Sequence, residues 1–164
     1  MPDPIEKDAC DLLDADHLAV KHLFVEYARC AYAPDEPGAA GRAAIAAKIC
    51  NEIDMHARIE EEMFYPALRG AVAGAADVLD EATREHGRAK ELVAAIRALA
   101  AADAQMDQLV AELACAIEHH VKEERDELFP KARTAPGLDL PALGVQLRQR
   151  QQELAQRSEA ASSA

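Results

Sequence analysis

The sequence predicts an all-α protein, an up-down-up-down four-helix bundle with a short additional C-terminal helix. Two observations carry this prediction. The chain is rich in Ala, Leu, Glu and Arg, aromatic residues make up only 4% of it, and Trp is absent, which favours helices over strands. Four long segments also carry apolar residues at alternating steps of three and four, the pattern of a helix face that packs into a core.

Clusters of Pro, Gly and Asp mark the loops between these segments. They lie at residues 33–38, at 69–74, near Ala102 and Asp103, and at 136–141. The last cluster precedes a shorter predicted helix from about Ala142 to Arg157. We expect a single domain over residues 1–158, followed by a disordered tail at 159–164.

The composition limits the partners and the location. Lys and Arg number 18 against 30 Asp and Glu, a net charge of -12, and such a chain repels phosphate backbones, so no nucleic-acid partner is expected. No secretory signal and no membrane-spanning apolar stretch is visible, so no membrane association is expected and a cytoplasmic location is predicted. The cysteines have no Cys-x-x-Cys spacing and are interpreted as small core residues: Cys10, Cys30, Cys50 and Cys115.

Polar residues interrupt all four apolar stripes. The glutamates follow two of the histidines at i, i+4, about 40° apart around a helix, so each pair points inward together. Buried imidazoles and carboxylates cost several kcal/mol unless something compensates them, and the stripes contain no inward Lys or Arg. A metal centre compensates them, and the donors suit two ions of iron, manganese or zinc. The six residues are His17, His56, Glu60, His86, His120 and Glu124.

An internal repeat relates the two halves of the chain. The segment 16–21, Asp-His-Leu-Ala-Val-Lys, resembles 85–90, Glu-His-Gly-Arg-Ala-Lys. The His-x-x-x-Glu motif at His56 precedes Phe-Tyr-Pro at 64–66, and the one at His120 precedes Leu-Phe-Pro at 128–130 with the same spacing. We therefore expect two facing helical hairpins, which bring the four histidines to nearly the same height in the bundle.

Together these motifs resemble the hemerythrin-like proteins of the HHE cation-binding family, over residues 8 to about 158. The segment 138–144 is also similar to C-terminal segments of that family. The resemblance implies a non-haem di-iron site with two ions bridged by carboxylates, with or without an oxo group. It assigns His17, His56, His86 and His120 as terminal ligands, and Glu60 and Glu124 as bridges.

The sequence departs from the oxygen carriers of that family at Lys90. The carriers have a further His there, one turn after the ligand of the third helix. Four histidines instead of five leave a position for water, a carboxylate or an exogenous molecule, which argues against simple reversible O2 carriage. The remaining polar and aromatic residues are interpreted as surface or neighbouring groups (His22, His119), solvated faces (Glu61, Glu62, Glu123) or packing residues (Tyr27, Tyr32, Tyr65), although a tyrosine close to iron could serve as a ligand or redox-active group.

The leading hypothesis for the function is a di-iron centre that binds, senses or reduces O2, NO or peroxide. Its partner is then a small diatomic or peroxidic molecule, and sensing would add an unknown protein partner. The alternative is iron handling, as storage or donation to damaged iron centres, and a metal-free interaction bundle is the third hypothesis. Whether the protein is an enzyme stays open, and a monomer or weak dimer is expected.

Overall fold

The computed structural model describes residues 7–32 and 38–163, and within these ranges every regular element is helical, as predicted. Of the first predicted loop, only Gly38, which begins a helix with a positive φ of 80°, lies inside the described residues. The elements are α1 (Ala9–Tyr32), α2 (Gly38–Ile59), the π-helical turn π1 (Glu60–Phe64), α3 (Tyr65–Ala71), α4 (Ala76–Arg97), α5 (Ala104–Glu123), the turn π2 (Glu124–Leu128), α6 (Phe129–Thr134) and α7 (Leu140–Ser162).

The helices form the predicted pair of hairpins. Helix α1 packs against α2, and α4 packs against α5, while α1–α5 and α2–α4 contacts close the four-helix bundle. Helix α7 lies outside this bundle, against α1 and α2. The predicted fold class is therefore confirmed.

The C-terminal helix is longer than the sequence indicated. Helix α7 has 23 residues and continues through Ser162, so residues 159–162 are helical rather than a disordered tail. Asp139 caps its first turn by accepting a hydrogen bond from the Ala142 N–H, and the Ala- and Glu-containing end has good helix propensity. A Cβ at Gly144 would lie 3.0 Å from backbone atoms of residues 7–9, so glycine permits this close approach to the start of α1.

Two apolar clusters fill the bundle, and the six polar stripe residues lie in a layer between them. The cluster near α7 is built around Leu13, Phe64, Leu79, Leu128 and Leu147. The cluster at the opposite end is built around Val20, Ile49, Ile53, Val93 and Leu113. The layer is thus shielded from water on both sides, which strengthens electrostatic interactions within it.

A π-helical turn changes the register of each helix directly after its glutamate. In π1 the Tyr65 N–H donates to the Glu60 carbonyl, five residues earlier, and Pro66 has no N–H with which to continue an α-helical ladder. Phe64, four positions after Glu60, is buried on the same face, and the extra residue brings Tyr65 into the core beside it. Met63 and Ala67 lie at the edge of this core, partly buried and packed against it.

Two smaller expectations about packing residues also fail. Cys115 is exposed on α5, although Cys10 and Cys50 are buried as predicted. Tyr32, expected to pack, is 89% exposed at the last position of α1, where the bundle no longer covers it. Among the helices of the described ranges, none is both long enough and apolar enough to cross a lipid bilayer.

Candidate metal centre

The structure brings the six predicted ligands together. Donor atoms of His17, His56, Glu60 and Glu124 lie within 4.8 Å of one another, and those of Glu60, His86 and His120 form a second such group. Both glutamates are completely buried, and the histidines are nearly so. The two groups share Glu60, so they form one centre with two neighbouring sets of donors.

The histidines form two pairs, and the carboxylates lie between the pairs. The Nε2 atoms of His17 and His56 are 3.1 Å apart, as are those of His86 and His120. Glu124 Oε1 lies 3.2 Å from His17 Nε2 and 2.9 Å from His120 Nε2. Glu60 contacts His56 Nε2, and its other oxygen lies 3.5 Å from His86 Nε2. Each carboxylate therefore reaches both histidine pairs.

A carboxylate faces the outer nitrogen, Nδ1, of every histidine in the centre. Such an acceptor holds the proton on Nδ1 and leaves the Nε2 lone pair pointing into the centre, which is the tautomer that binds a metal. The four contacts are Asp14–His17 at 3.4 Å, Asp16–His56 at 3.3 Å, Glu61–His86 at 2.9 Å and Glu85–His120 at 2.6 Å.

None of these four carboxylates was predicted to contact a histidine of the centre, and the interpretation of Glu61 as part of a solvated face was wrong. A signal existed in the repeat, because an acidic residue precedes both His17 and His86. Each of these acids, however, orients the histidine of the neighbouring helix rather than the one next to it in sequence. Only the packing of α1 on α2 and of α4 on α5 reveals that arrangement.

Three further side chains hold the orienting carboxylates in place. Arg125 Nε donates to Asp14 at 2.6 Å, and Lys90 Nζ donates to both oxygens of Glu61 at 2.9 and 2.8 Å. Gln151 of α7 donates to Asp16 at 2.5 Å. Lys90, which is 48% exposed, therefore acts on His86 through Glu61 and does not replace a ligand.

Within the described residues, the donor atoms of the centre lack the hydrogen-bond partners that buried polar atoms need, and a metal cation would supply what is missing. None of the four oxygens of Glu60 and Glu124 accepts an aligned hydrogen bond from the described part of the chain, although imidazole nitrogens lie close by. With Nδ1 protonated, two Nε2 lone pairs at 3.1 Å face each other, so either a proton or a cation must lie between them. A metal ion satisfies both nitrogens and the carboxylates at once.

The same close contacts between buried carboxylates and imidazoles shift the pKa values of the centre when no metal is bound. Burial alone would raise the pKa of Glu60, but attraction by His56 and contacts with the other imidazoles hold it well below 4.5. Burial opposes the charged form of His56, but Glu60 and Asp16 raise its pKa to about 10. The pKa of His120 is likewise raised by Glu124. Protons thus supply, without metal, the positive charge that the carboxylates require.

Aromatic rings close the centre on the side of α7. Tyr65 stacks on His86 with ring centroids 5.4 Å apart, and its hydroxyl lies 3.3 Å from His86 Nε2 and 3.4 Å from His120 Nε2. Burial and the nearby carboxylates Glu60 and Glu124 raise the pKa of Tyr65 strongly. In the metal-free centre this hydroxyl therefore remains neutral and can donate a hydrogen bond toward the metal positions.

A small cavity lies on the opposite side of the centre. Its volume is about 20 Å³, and it is lined by the four histidines, by apolar side chains, and by Asp16 and Lys90. A cavity needs about 10–15 Å³ to hold one water molecule, so this one fits only a very small ligand. The other two histidines lie outside the centre: His22 is exposed, and His119, 65% exposed, contacts Glu85 and Glu123.

Fold and donor layer together define a helical-bundle protein with His and Glu clusters suited to metal binding. Residues 8–132 match the model of the Hemerythrin HHE cation binding domain family, and the chain belongs to that family. Its fold is similar to the crystal structure of a hemerythrin HHE cation binding domain-containing protein from Mycobacterium kansasii. The two chains are 22% identical with a TM-score of 0.73, over 90% of this chain and 87% of that one. No curated protein matches the sequence.

Proposed function

We propose that the centre holds two iron ions, one at the pair His17–His56 and one at His86–His120. Glu60 and Glu124 bridge them. One observation carries the proposal: each carboxylate lies within reach of an Nε2 atom from both pairs. A single ion would leave one pair of facing lone pairs without a cation.

Iron fits this donor set because imidazole nitrogen and carboxylate oxygen are both common ligands of iron, and manganese and zinc remain the alternatives. When bound, iron would supply redox chemistry and an open position for a small ligand. The chain itself supplies the orientation of each imidazole, through Asp14, Asp16, Glu61 and Glu85. It also supplies an apolar surrounding that limits access of water.

We propose further that the partner of the centre is O2, NO or peroxide, which the protein binds, senses or reduces. The cavity of about 20 Å³ beside the histidines supports this, because its size suits a molecule of a few atoms. Tyr65 supports it too, since its hydroxyl can donate a hydrogen bond at the His86–His120 pair. Both features suit a small ligand, the cavity on one side of the centre and the Tyr65 hydroxyl on the other, and neither is needed to store iron.

The test is reconstitution with ferrous iron without oxygen, followed by metal analysis and mixing with O2, peroxide or NO. We expect about two irons per chain, retained against a moderate chelator, and a fast change in the optical spectrum with at least one of these molecules. Saturation at one iron would reject the two-ion centre. Two loosely held irons that pass to an apo acceptor protein, with no response to these molecules, would favour iron handling.

A further inference from the structure

A groove of about 550 Å³ lies between α1 and α5, and His17 forms part of its wall. Leu18 and Val25 line it and are 50% and 60% exposed, so the groove presents large apolar side chains to solvent. It shares His17, Ile117 and Val121 with the small cavity at the metal centre. Pockets of roughly 300–1,000 Å³ hold small organic molecules.

The internal repeat shows why this groove is open. In the repeat, α1 corresponds to α4 and α5 to α2, so the equivalent surface lies between α4 and α2. Two ion pairs bridge that surface, Arg97–Asp54 at 2.5 Å and Lys90–Glu61 at 2.8 Å. These pairs hold α4 and α2 together along the side of the centre.

Neither ion pair has a counterpart across the α1–α5 groove. The positions of Arg97 and Asp54 are taken there by Ala28 and Glu118, and those of Lys90 and Glu61 by Lys21 and Arg125. The first change removes the cation, and the second places two cations where the other half has an ion pair. All four of these residues line the groove.

The two cations have donors available for a ligand. Among the described residues, Lys21 has no ion-pair partner, and Arg125 uses only Nε on Asp14, which leaves its two terminal nitrogens. The third cation of the groove, Lys122, is paired with Asp126. In a chain of net charge -12, this end of the groove is therefore a local site for an anion.

We propose that the α1–α5 groove binds a small amphipathic carboxylate. Its carboxylate lies between Lys21 and Arg125, beside His17, and its apolar body lies along Leu18, Phe24 and Val25. Glu118, toward the Ala28 end, disfavours a second acidic group there, so the apolar end of the ligand points in that direction. The ligand thus has one acidic head and one apolar tail, as a medium-chain fatty acid has.

Calorimetric titration with octanoate tests this, on metal-free and on iron-loaded protein, so that the result does not depend on the chemistry of the centre. We expect one site per chain, weaker binding of 1-octanol and no detectable binding of acetate. Lys21→Glu should weaken octanoate binding at least about tenfold because it removes one cation. Ala28→Arg should also weaken binding. It places an arginine at the position equivalent to Arg97, where it can pair with Glu118 across the groove and close it.

Lys48→Glu is the matched control, since Lys48 is exposed on α2 away from the groove, and it should bind octanoate as the wild type does. Circular dichroism verifies that each variant keeps its helices. Absence of octanoate binding would overturn the proposal, and so would equal binding by all variants. Lys21-dependent binding to phosphatidylglycerol vesicles without binding of free octanoate would instead assign the groove to a lipid surface.

Discussion

Tyr65 and Phe129 occupy equivalent positions in the two halves of the bundle, and each ring stacks on a histidine of the centre. Tyr65 lies on His86 with centroids 5.4 Å apart, and Phe129 lies on His17 at 5.9 Å. Both rings are placed by the π-helical turn that precedes them. Only Tyr65 carries a hydroxyl, so the two ends of the centre differ chemically although their imidazoles are arranged alike.

The first prediction concerns this hydroxyl. In Tyr65→Phe both halves carry the same ring, so packing is preserved and we expect iron content to stay at about two per chain. Loss of the hydrogen-bond donor should slow the reaction with peroxide or NO at least about tenfold, measured by stopped-flow spectroscopy. An unchanged rate would assign Tyr65 to packing alone, and loss of one iron would make it a ligand.

Helical periodicity predicts that the six central side chains share inward faces, and the structure brings their donor atoms together. Glu61 was misjudged because it points across to His86 on another helix, and that contact depends on how two helices pack. The place of Tyr65 beside the centre depends on the extra residue in π1, because Tyr65 follows Glu60 by five positions, which is not a helical step of three or four.

A second prediction concerns the carboxylates. Glu60→Ala and Glu124→Ala should each reduce iron content to about one ion or fewer per chain, because a shared ligand and its negative charge are lost from a buried centre. Glu123→Ala, a partly exposed neighbour, should retain two, measured by metal analysis after gel filtration. Glu61→Ala should lie between them, since Glu61 orients His86. Equal losses in all four variants would show that Glu60 and Glu124 have no special role in binding the metal.

Removal of the metal should destabilise the fold. The apo bundle keeps two buried carboxylates with only protons to balance them, whereas bound ions stabilise the folded state by mass action. We expect the Tm of chelator-treated protein to be roughly 5–10 °C below that of the loaded protein, measured by calorimetry. Readdition of ferrous iron without oxygen is the control and should restore it. Equal Tm values would mean that the centre does not contribute to folding.

The pH dependence of the metal-free protein follows from Glu60 and His56. The pKa of Glu60 lies well below 4.5 in the folded state, so its contribution to stability is present above the unfolded pKa and disappears as the pH falls through the folded one. The pKa of His56 is raised to about 10, so its contribution is complete below the unfolded value of about 6.5 and is lost as the pH rises through 10.

Urea denaturation at several pH values checks this expectation. Metal-free protein should lose stability between about pH 6.5 and 10, and His56→Gln should flatten that loss. Loaded protein should not show it, because metal ligation already holds the imidazoles deprotonated, and it should release its metal only in acid. A metal-free protein that is equally stable at pH 7 and 10 would contradict the assigned role of His56.

The last prediction concerns Lys90, whose Nζ lies 2.8 Å from Glu61, the acceptor of His86 Nδ1. Lys90→Gln should loosen Glu61 and weaken binding of the iron at His86–His120 by about 10- to 100-fold, with little effect at His17–His56. Lys21→Gln is the matched control, because it removes the equivalent lysine, which has no ion pair within the described ranges. Iron-binding isotherms recorded without oxygen separate the two sites.

Lys90→His would lose the same contact with Glu61. The side chain at this position is 48% exposed, so the new imidazole adds a metal ligand only if its ring turns toward the centre. With four histidines, reduced wild-type protein should be oxidised by air or peroxide, and reversible cycling with O2 would restore oxygen storage as the function. Equal iron affinities for Lys90→Gln and Lys21→Gln would show that the contact from Lys90 to Glu61 does not position His86.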